Sequence, residues 1–86
     1  MELGKRRFLI VDDEPELGSV LADILREDAA SIDIAASGRE ALERLRLTGA
    51  SGYDVVLMDL HMPVMDGYEA TRQIRLDPTF SDVPIL

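Results

Sequence analysis

Three aspartates are the residues of this chain whose type and position could do chemistry. Asp12 and Asp13 directly follow the apolar run at residues 8–11, and Asp59 directly follows the run at residues 55–58. Short continuous apolar runs that contain β-branched residues are typical of strands buried on both faces. A core strand can end in turn residues without a charge at its tip, so carboxylates in these positions indicate a candidate functional site.

The elements that would position these aspartates can be predicted from the spacing of apolar residues. Apolar runs and alternation predict strands at residues 7–11, 31–36, 54–58 and 83–86. The spacing after Pro15 predicts a helix that starts there and carries one apolar stripe, formed by Leu17, Val20, Leu21, Ile24 and Leu25. The first predicted helix therefore follows the first strand within a few residues.

Two further helices are predicted from their end signals. A capping box from Ser37 to Glu40 opens the second helix, which stops by Gly49. The third begins at a cap formed by Asp66 or Gly67 and ends before the Asp-Pro pair at residues 77–78. Strands and helices thus alternate along the whole chain.

This alternation predicts an α/β fold with a doubly wound parallel sheet and helices on both faces. In such sheets ligands bind beyond the carboxyl ends of the strands, where the strand order reverses. Two strand orders are common in such sheets, and in one of them, the flavodoxin-like order 2-1-3-4, strands 1 and 3 are neighbours. Asp12, Asp13 and Asp59 would then converge at one point.

Three converging carboxylates repel one another unless protons or a cation intervene. Oxygen ligands without Cys or a His cluster favour a hard cation, Mg²⁺ or Ca²⁺, and an incomplete cage that leaves room for water and substrate oxygens favours Mg²⁺. A carboxylate beside such a metal can attack phosphorus and form an aspartyl-phosphate. Acids at strand ends are also ordinary helix caps, so the pattern alone leaves both interpretations open.

Composition narrows the setting of the protein. The 86 residues allow one small domain, and the formal charge of −8 argues against direct binding of nucleic acids or anionic membranes. No apolar run approaches the length of about 20 residues that spans a bilayer, and the run after the basic residues 5–7 is too short for a signal peptide. We expect a cytoplasmic protein, with the basic residues forming a solvated start of the first strand.

The segments FLIVDDEPE and LMDLHMPVMDGYEATRQIR resemble the receiver domain (CheY-like) of two-component response regulators or hybrid sensor histidine kinases. The resemblance implies that Asp59 accepts a phosphoryl group from the phosphohistidine of a histidine kinase or histidine phosphotransfer domain. It also implies a Mg²⁺ site formed by Asp12, Asp13, Asp59 and the backbone carbonyl of His61. Such a domain is not an enzyme beyond Mg²⁺-dependent self-phosphorylation and autodephosphorylation.

The chain also departs from the receiver pattern. Receivers continue through a further helix, strand and helix, and they place a Ser or Thr after strand 4 and a Lys after strand 5. Here strand 4 ends at Leu86 and the only lysine is Lys5. We therefore expect residues 1–86 to be a C-terminally incomplete receiver domain that lacks the last α-β-α portion. Its exposed apolar edge at residues 83–86 predicts a homodimer or a swapped oligomer.

Three functions remain open on these grounds. The first is a phosphoacceptor module of a phosphorelay. The second is a receiver-shaped interaction or dimerisation module that is not phosphorylated, because the Ser/Thr and Lys switch residues are absent. The third is a Mg²⁺-dependent phosphohydrolase, but such enzymes usually carry a second acid two residues after the nucleophile, where this chain has His61.

Overall fold

The computed structural model describes residues 5–49, 52–59 and 67–86. Within them strands and helices alternate, with two short 3₁₀ turns at Arg26–Asp28 and Pro78–Phe80. The strands are β1 Arg6–Val11, β2 Ala29–Ala35 and β3 Val55–Met58. The helices are α1 Pro15–Leu25, α2 Gly38–Thr48 and α3 Gly67–Leu76. This is the alternation that the apolar pattern predicts.

The sheet is parallel and has the order β2-β1-β3. The predicted fourth strand lies beside β3, because the Val56 N–H donates to the Pro84 carbonyl at 2.9 Å and the Leu86 N–H donates to the Val56 carbonyl at 2.9 Å. It is a single bridge between Val56 and Ile85 and not a regular strand. The predicted order 2-1-3-4 is therefore confirmed.

The two faces of the sheet are covered differently. One face packs against α2 and α3 and forms the main core, with Leu9 and Val56 fully buried. The other face carries Ile10, which pairs in register with Ile34 on β2 and Leu57 on β3, so the three side chains point the same way. Helix α1 lies on this second face.

The apolar stripe of α1 is only partly buried. Gly18 packs so closely on Ile34 that a Cβ there would lie 3.2 Å from the Ile34 Cγ2, which places α1 above β1 and β2. On the side of α1 turned away from this contact, Leu17, Val20 and Ile24 are 45%, 53% and 69% exposed. The predicted stripe exists, but the described residues cover only half of it.

Two local predictions can be compared directly with the structure. The Ser37 Oγ accepts the Glu40 N–H at 3.1 Å, and the Glu40 carboxylate reaches back to the Ala36 N–H, so the capping box is confirmed with its second bond one residue earlier than expected. The basic residues lie at the start of β1 as expected: Lys5 and Arg6 are exposed, and the side chain of Arg7 is 41% exposed but also forms an ion pair. The Arg7 Nη2 donates to the Asp54 Oδ1 at 3.1 Å, which clips β1 to the start of β3.

Candidate functional site

The parallel sheet carries the aspartates to one edge through its own hydrogen bonds. The Asp12 N–H donates to the Ala35 carbonyl at 3.0 Å, and the Asp59 N–H donates to the Val11 carbonyl at 2.9 Å. Each acid is therefore the last residue held by the ladder, at the carboxyl end of its strand. The backbone thus fixes Asp12 to β2 and Asp59 to β1.

The three carboxylates meet as the strand order predicts. Asp12, Asp13 and Asp59 each offer an oxygen, and these oxygens all lie within 4.8 Å of one another. Asp12 is only 5% exposed and Asp59 is partly buried, so water screens the charges less than on an open surface. Three carboxylates at this spacing form a site of strong negative potential at the edge of the sheet.

The donor set fits a hard divalent cation. Mg²⁺ binds oxygen at about 2.0–2.1 Å, so two of its ligands are at most about 4.2 Å apart, and the wider shell of Ca²⁺ separates opposite ligands by about 5 Å. The 4.8 Å limit on the oxygen separations accommodates either ion after small side-chain rotations. Asp12, Asp13 and Asp59 are the described residues that could hold it.

The side chain of Asp12 also shapes the turn between β1 and α1. Its Oδ1 accepts the Glu14 N–H at 2.8 Å, which turns the chain from β1 into α1. Glu14 is the N-cap residue of α1, and its side chain makes no capping hydrogen bond. Glu14 therefore lies just outside the helix, two residues after Asp12.

Part of the predicted site lies outside the described residues. The predicted carbonyl ligand of His61 and the predicted cap at Asp66 both belong to residues 60–66, so they stay predictions. At the far end of this segment α3 begins at Gly67, as the sequence indicates.

One polar network was not predicted from the sequence. The Tyr53 hydroxyl donates to the Asp33 Oδ2 at 2.5 Å, and Arg44 lies 3.8 Å from the same carboxylate. Burial raises the pKa of Tyr53, and its hydrogen bond to Asp33 raises it further. The network joins β2, α2 and the turn before β3 on the face opposite α1. Tyr53 and Asp33 are 20 residues apart, and no sequence pattern predicts that they are partners.

Comparison with known proteins identifies the class. Residues 8–86 match the response regulator receiver domain family, which is nearly the whole chain. The chain therefore belongs to the response regulator receiver domain family, and the CheY-like fold and the two-component signalling class predicted from the motifs are confirmed. Receiver domains of this family are signalling modules and not conventional enzymes.

Individual relatives agree with this assignment. The chain is 47% identical over 72 residues to the two-component response regulator ORR41 of Oryza sativa subsp. japonica, covering 80% of this chain and 55% of the relative. It is 44% identical over 73 residues to the probable histidine kinase 4 of the same species, covering 85% of this chain and 7% of the relative.

A solved structure is similar as well. The response regulator protein TrrA of Thermotoga maritima, in complex with Mg(2+)-BeF, is 36% identical and superimposes with a TM-score of 0.80 over 93% of this chain and 65% of that chain. This chain thus spans less than two thirds of each of these proteins. None of the described helices has the length and apolar composition needed to cross a membrane.

Proposed function

We propose that this domain is a phosphoacceptor module of a two-component phosphorelay and that Asp59 accepts the phosphoryl group. The observation that carries the proposal is the convergence of three carboxylate oxygens within 4.8 Å at the carboxyl ends of β1 and β3. The donor would be the phosphohistidine of a histidine kinase or a histidine phosphotransfer domain in the cytoplasm. Histidine kinases among the relatives support this choice of partner.

In the proposed reaction an oxygen of the Asp59 carboxylate attacks the phosphorus of the phosphohistidine. A new O–P bond forms, the N–P bond breaks, and the imidazole leaves with the electron pair. Asp59 suits this step because its backbone is fixed to Val11 while its side chain remains partly exposed at the edge of the sheet. The partner can therefore approach from the carboxyl end of the strands.

Asp12 and Asp13 would hold a Mg²⁺ ion together with Asp59 and the His61 carbonyl. When bound, the ion would neutralise the charge that develops on the phosphoryl oxygens. The protein itself contributes the placement of the acids. The buried Asp12 accepts the Glu14 N–H through its side chain and bonds to β2 through its backbone. The TrrA complex with Mg(2+)-BeF supports the choice of Mg²⁺ as the cation.

Beryllofluoride, a mimic of the phosphoryl group, tests the proposal directly. We expect the chain to bind it only when Mg²⁺ is present, as ¹⁹F NMR would detect from a bound-fluoride signal. Asp59→Asn should abolish this signal because it removes the attacking carboxylate. Asp28→Asn, which changes an exposed acid of the 3₁₀ turn after α1, is the matched control and should leave the signal unchanged.

Other outcomes would identify the alternative functions. A folded chain that shows no beryllofluoride signal at millimolar Mg²⁺ would contradict the proposal and favour an interaction module without phosphorylation. Repeated turnover of a phosphate ester, measured as released phosphate in excess of protein, would favour the phosphohydrolase.

We further propose that the chain self-associates as a homodimer or swapped oligomer through the segment at residues 84–86. Because Val56 bonds to Pro84 and Leu86, the N–H and C=O of Ile85 between them point away from β3. These groups form an outer edge of the sheet in the described part of the chain, beside Leu86, which is 77% exposed. Such an edge can pair with the same edge of a second copy.

A further inference from the structure

Strand β2 is an outer edge of the sheet in the described part of the chain, and β1 and β3 separate it from residues 84–86. The Ala35 carbonyl accepts the Asp12 N–H, so the backbone groups of Ala35 point toward β1. Because successive residues of a strand point their N–H and C=O groups in opposite directions, those of Ile32 and Ile34 point away from β1. These two residues therefore present two donors and two acceptors at the edge.

One outward group of this edge is already satisfied. The Ala36 N–H, which points the same way, donates to the Glu40 carboxylate. Within the described ranges, no residue bonds to the outward groups of Ile32 and Ile34. An extended segment beside β2 can bond to these groups, whereas a helix satisfies its backbone internally and offers nothing to them. The edge therefore favours an extended partner.

A groove follows this edge on the face of the sheet that carries α1. It encloses about 330 Å³ between the C-terminal half of α1 and β2, and we name it the β2 groove. Its lining is mainly apolar and includes Ala22, Ala29, Ala30, Ile32 and Ile34. Arg26 also lines it but is paired with Asp23. The small alanine side chains leave space that apolar side chains of a partner can fill.

The residue between the two isoleucines faces the opposite side of the sheet. Asp33 pairs in register with Leu9, which belongs to the main core, so its side chain lies on the α2 face. The Asp33 Oδ2 accepts the Tyr53 hydroxyl and lies 3.8 Å from Arg44, whereas the Oδ1 has no partner among the described residues. The side chain is 44% exposed. A basic residue of a partner strand beside Asp33 can therefore pair with the Oδ1.

A second copy of the chain does not supply this cation. Two β2 edges could pair antiparallel about a two-fold axis at Ile32, Asp33 or Ile34. The residue opposite Asp33 would then be Ser31, Asp33 or Ala35, respectively. None of these is basic, and two aspartates opposite each other repel. The homodimer proposed above uses the other edge of the sheet, so it leaves β2 accessible.

We propose that the β2 groove binds an extended segment of another polypeptide, which joins the sheet as a strand beside β2. Two apolar residues of the segment lie opposite Ile32 and Ile34 and enter the groove. The residue between them is basic and pairs with Asp33. The interaction requires neither phosphoryl transfer nor pairing at residues 84–86.

Three synthetic peptides test the proposal. The first has Val-Lys-Val at its centre, flanked by threonines that favour an extended chain. The second has Glu in place of Lys, and the third keeps Val-Lys-Val but carries N-methyl groups on the three central amides. Fluorescence anisotropy should show that the first peptide binds the 86-residue chain. The other two should bind about tenfold more weakly or less, because one opposes Asp33 and the other lacks the backbone donors.

Substitutions separate the β2 groove from general attraction to an acidic protein. Asp33→Asn should weaken binding of the lysine peptide about threefold, because it removes the paired charge while the amide oxygen can still accept the Tyr53 hydroxyl. Asp82→Asn removes an exposed charge next to residues 84–86, at the opposite edge, and should leave the affinity unchanged. Ala22→Leu narrows the groove and should also weaken binding.

The wild-type chain gives a measurement that needs no variant to fold. Amide hydrogen exchange at Ile32 and Ile34 should slow when the lysine peptide is added, because both N–H groups then donate to the peptide. Exchange at Ile85, on the opposite edge, should not change. Failure of the lysine peptide to bind at millimolar concentration, equal affinity of the three peptides, equal effects of Asp33→Asn and Asp82→Asn, or slowing at Ile85 alone would each overturn the proposal.

Discussion

Asp12 combines a structural and a chemical task in one carboxylate. One of its oxygens accepts the Glu14 N–H and so starts α1, while the residue belongs to the carboxylate cluster with Asp13 and Asp59. Asp12 is 5% exposed and is the most buried of the three aspartates. A substitution at this residue can therefore affect folding and cation binding separately.

We predict that Asp12→Asn keeps the fold but weakens Mg²⁺ binding at least about tenfold. The asparagine carbonyl can still accept the Glu14 N–H, whereas one negative charge is lost from the proposed site. Asp12→Ala should weaken Mg²⁺ binding similarly and also lower the melting temperature, because the Glu14 amide loses its partner. Calorimetric titration and thermal melts would separate the two effects. Equal melting temperatures of the two variants would contradict this assignment.

The ion pair between Arg7 and Asp54 gives a prediction on pH. The Arg7 guanidinium, by hydrogen bonding, holds the pKa of the Asp54 carboxyl below its usual range. The pair therefore stabilises the fold above the usual aspartate pKa of about 3.9, and this contribution is lost as the pH falls through the lowered value. The melting temperature of Asp54→Asn should lie below wild type near neutral pH and converge with it in strong acid.

A more exposed ion pair serves as the control for this measurement. Asp23 and Arg26 form an i, i+3 pair whose side chains are 69% and 74% exposed. Exposed pairs of this kind contribute little to stability. Asp23→Asn should therefore melt close to wild type at every pH, and a loss as large as that of Asp54→Asn would show that the position of the pair between strands is unimportant.

Among the elements, α2 has the clearest start signal. The Ser37 Oγ accepts the Glu40 N–H, and the Glu40 carboxylate accepts the Ala36 N–H, so both side chains satisfy backbone groups at the first turn. We predict that Ser37→Ala lowers the free energy of unfolding by about 1 kcal/mol. Urea denaturation would measure it, with Ser19→Ala on the exposed side of α1 as a control that should not lose stability.

Helix α1 shows how an element can be correctly placed and still leave an apolar surface exposed. Pro15 begins the helix and Gly18 allows it to approach Ile34, where any side chain would crowd the contact. Because α1 packs closely over β2, Leu17 and Ile24 lie on a side of the helix that the described residues leave exposed. The exposure of these residues is therefore a consequence of where α1 packs.

For the whole molecule, we predict that self-association depends on the outward backbone groups of Ile85. Ile85→Pro removes the outward N–H without removing a bond to β3 and should give a monomer. Ile85→Val keeps the N–H and should stay associated. Light scattering at micromolar concentration measures the mass. A wild-type mass of one chain, together with a cooperative melt, would contradict the proposed dimer.

Much of the fold could be read from the sequence because its signals are local. Each buried strand is a short apolar run, and the starts of α1 and α2 are marked by Pro15 and the Ser37 capping box. The alternation of elements predicted a parallel sheet, and the flavodoxin-like strand order predicted that Asp12, Asp13 and Asp59 meet. The sequence motifs also identified the receiver family before any geometry was considered.

Tertiary structure alone decided which partners the polar residues have and which apolar residues are covered. Arg7 and Asp54 are 47 residues apart in the chain, and Tyr53 and Asp33 are 20 apart, so no local pattern pairs them. Likewise the spacing on α1 shows an apolar stripe but not how much of it the sheet covers. Strand ends and caps are determined by neighbouring residues, whereas ion pairs and burial depend on how the elements pack.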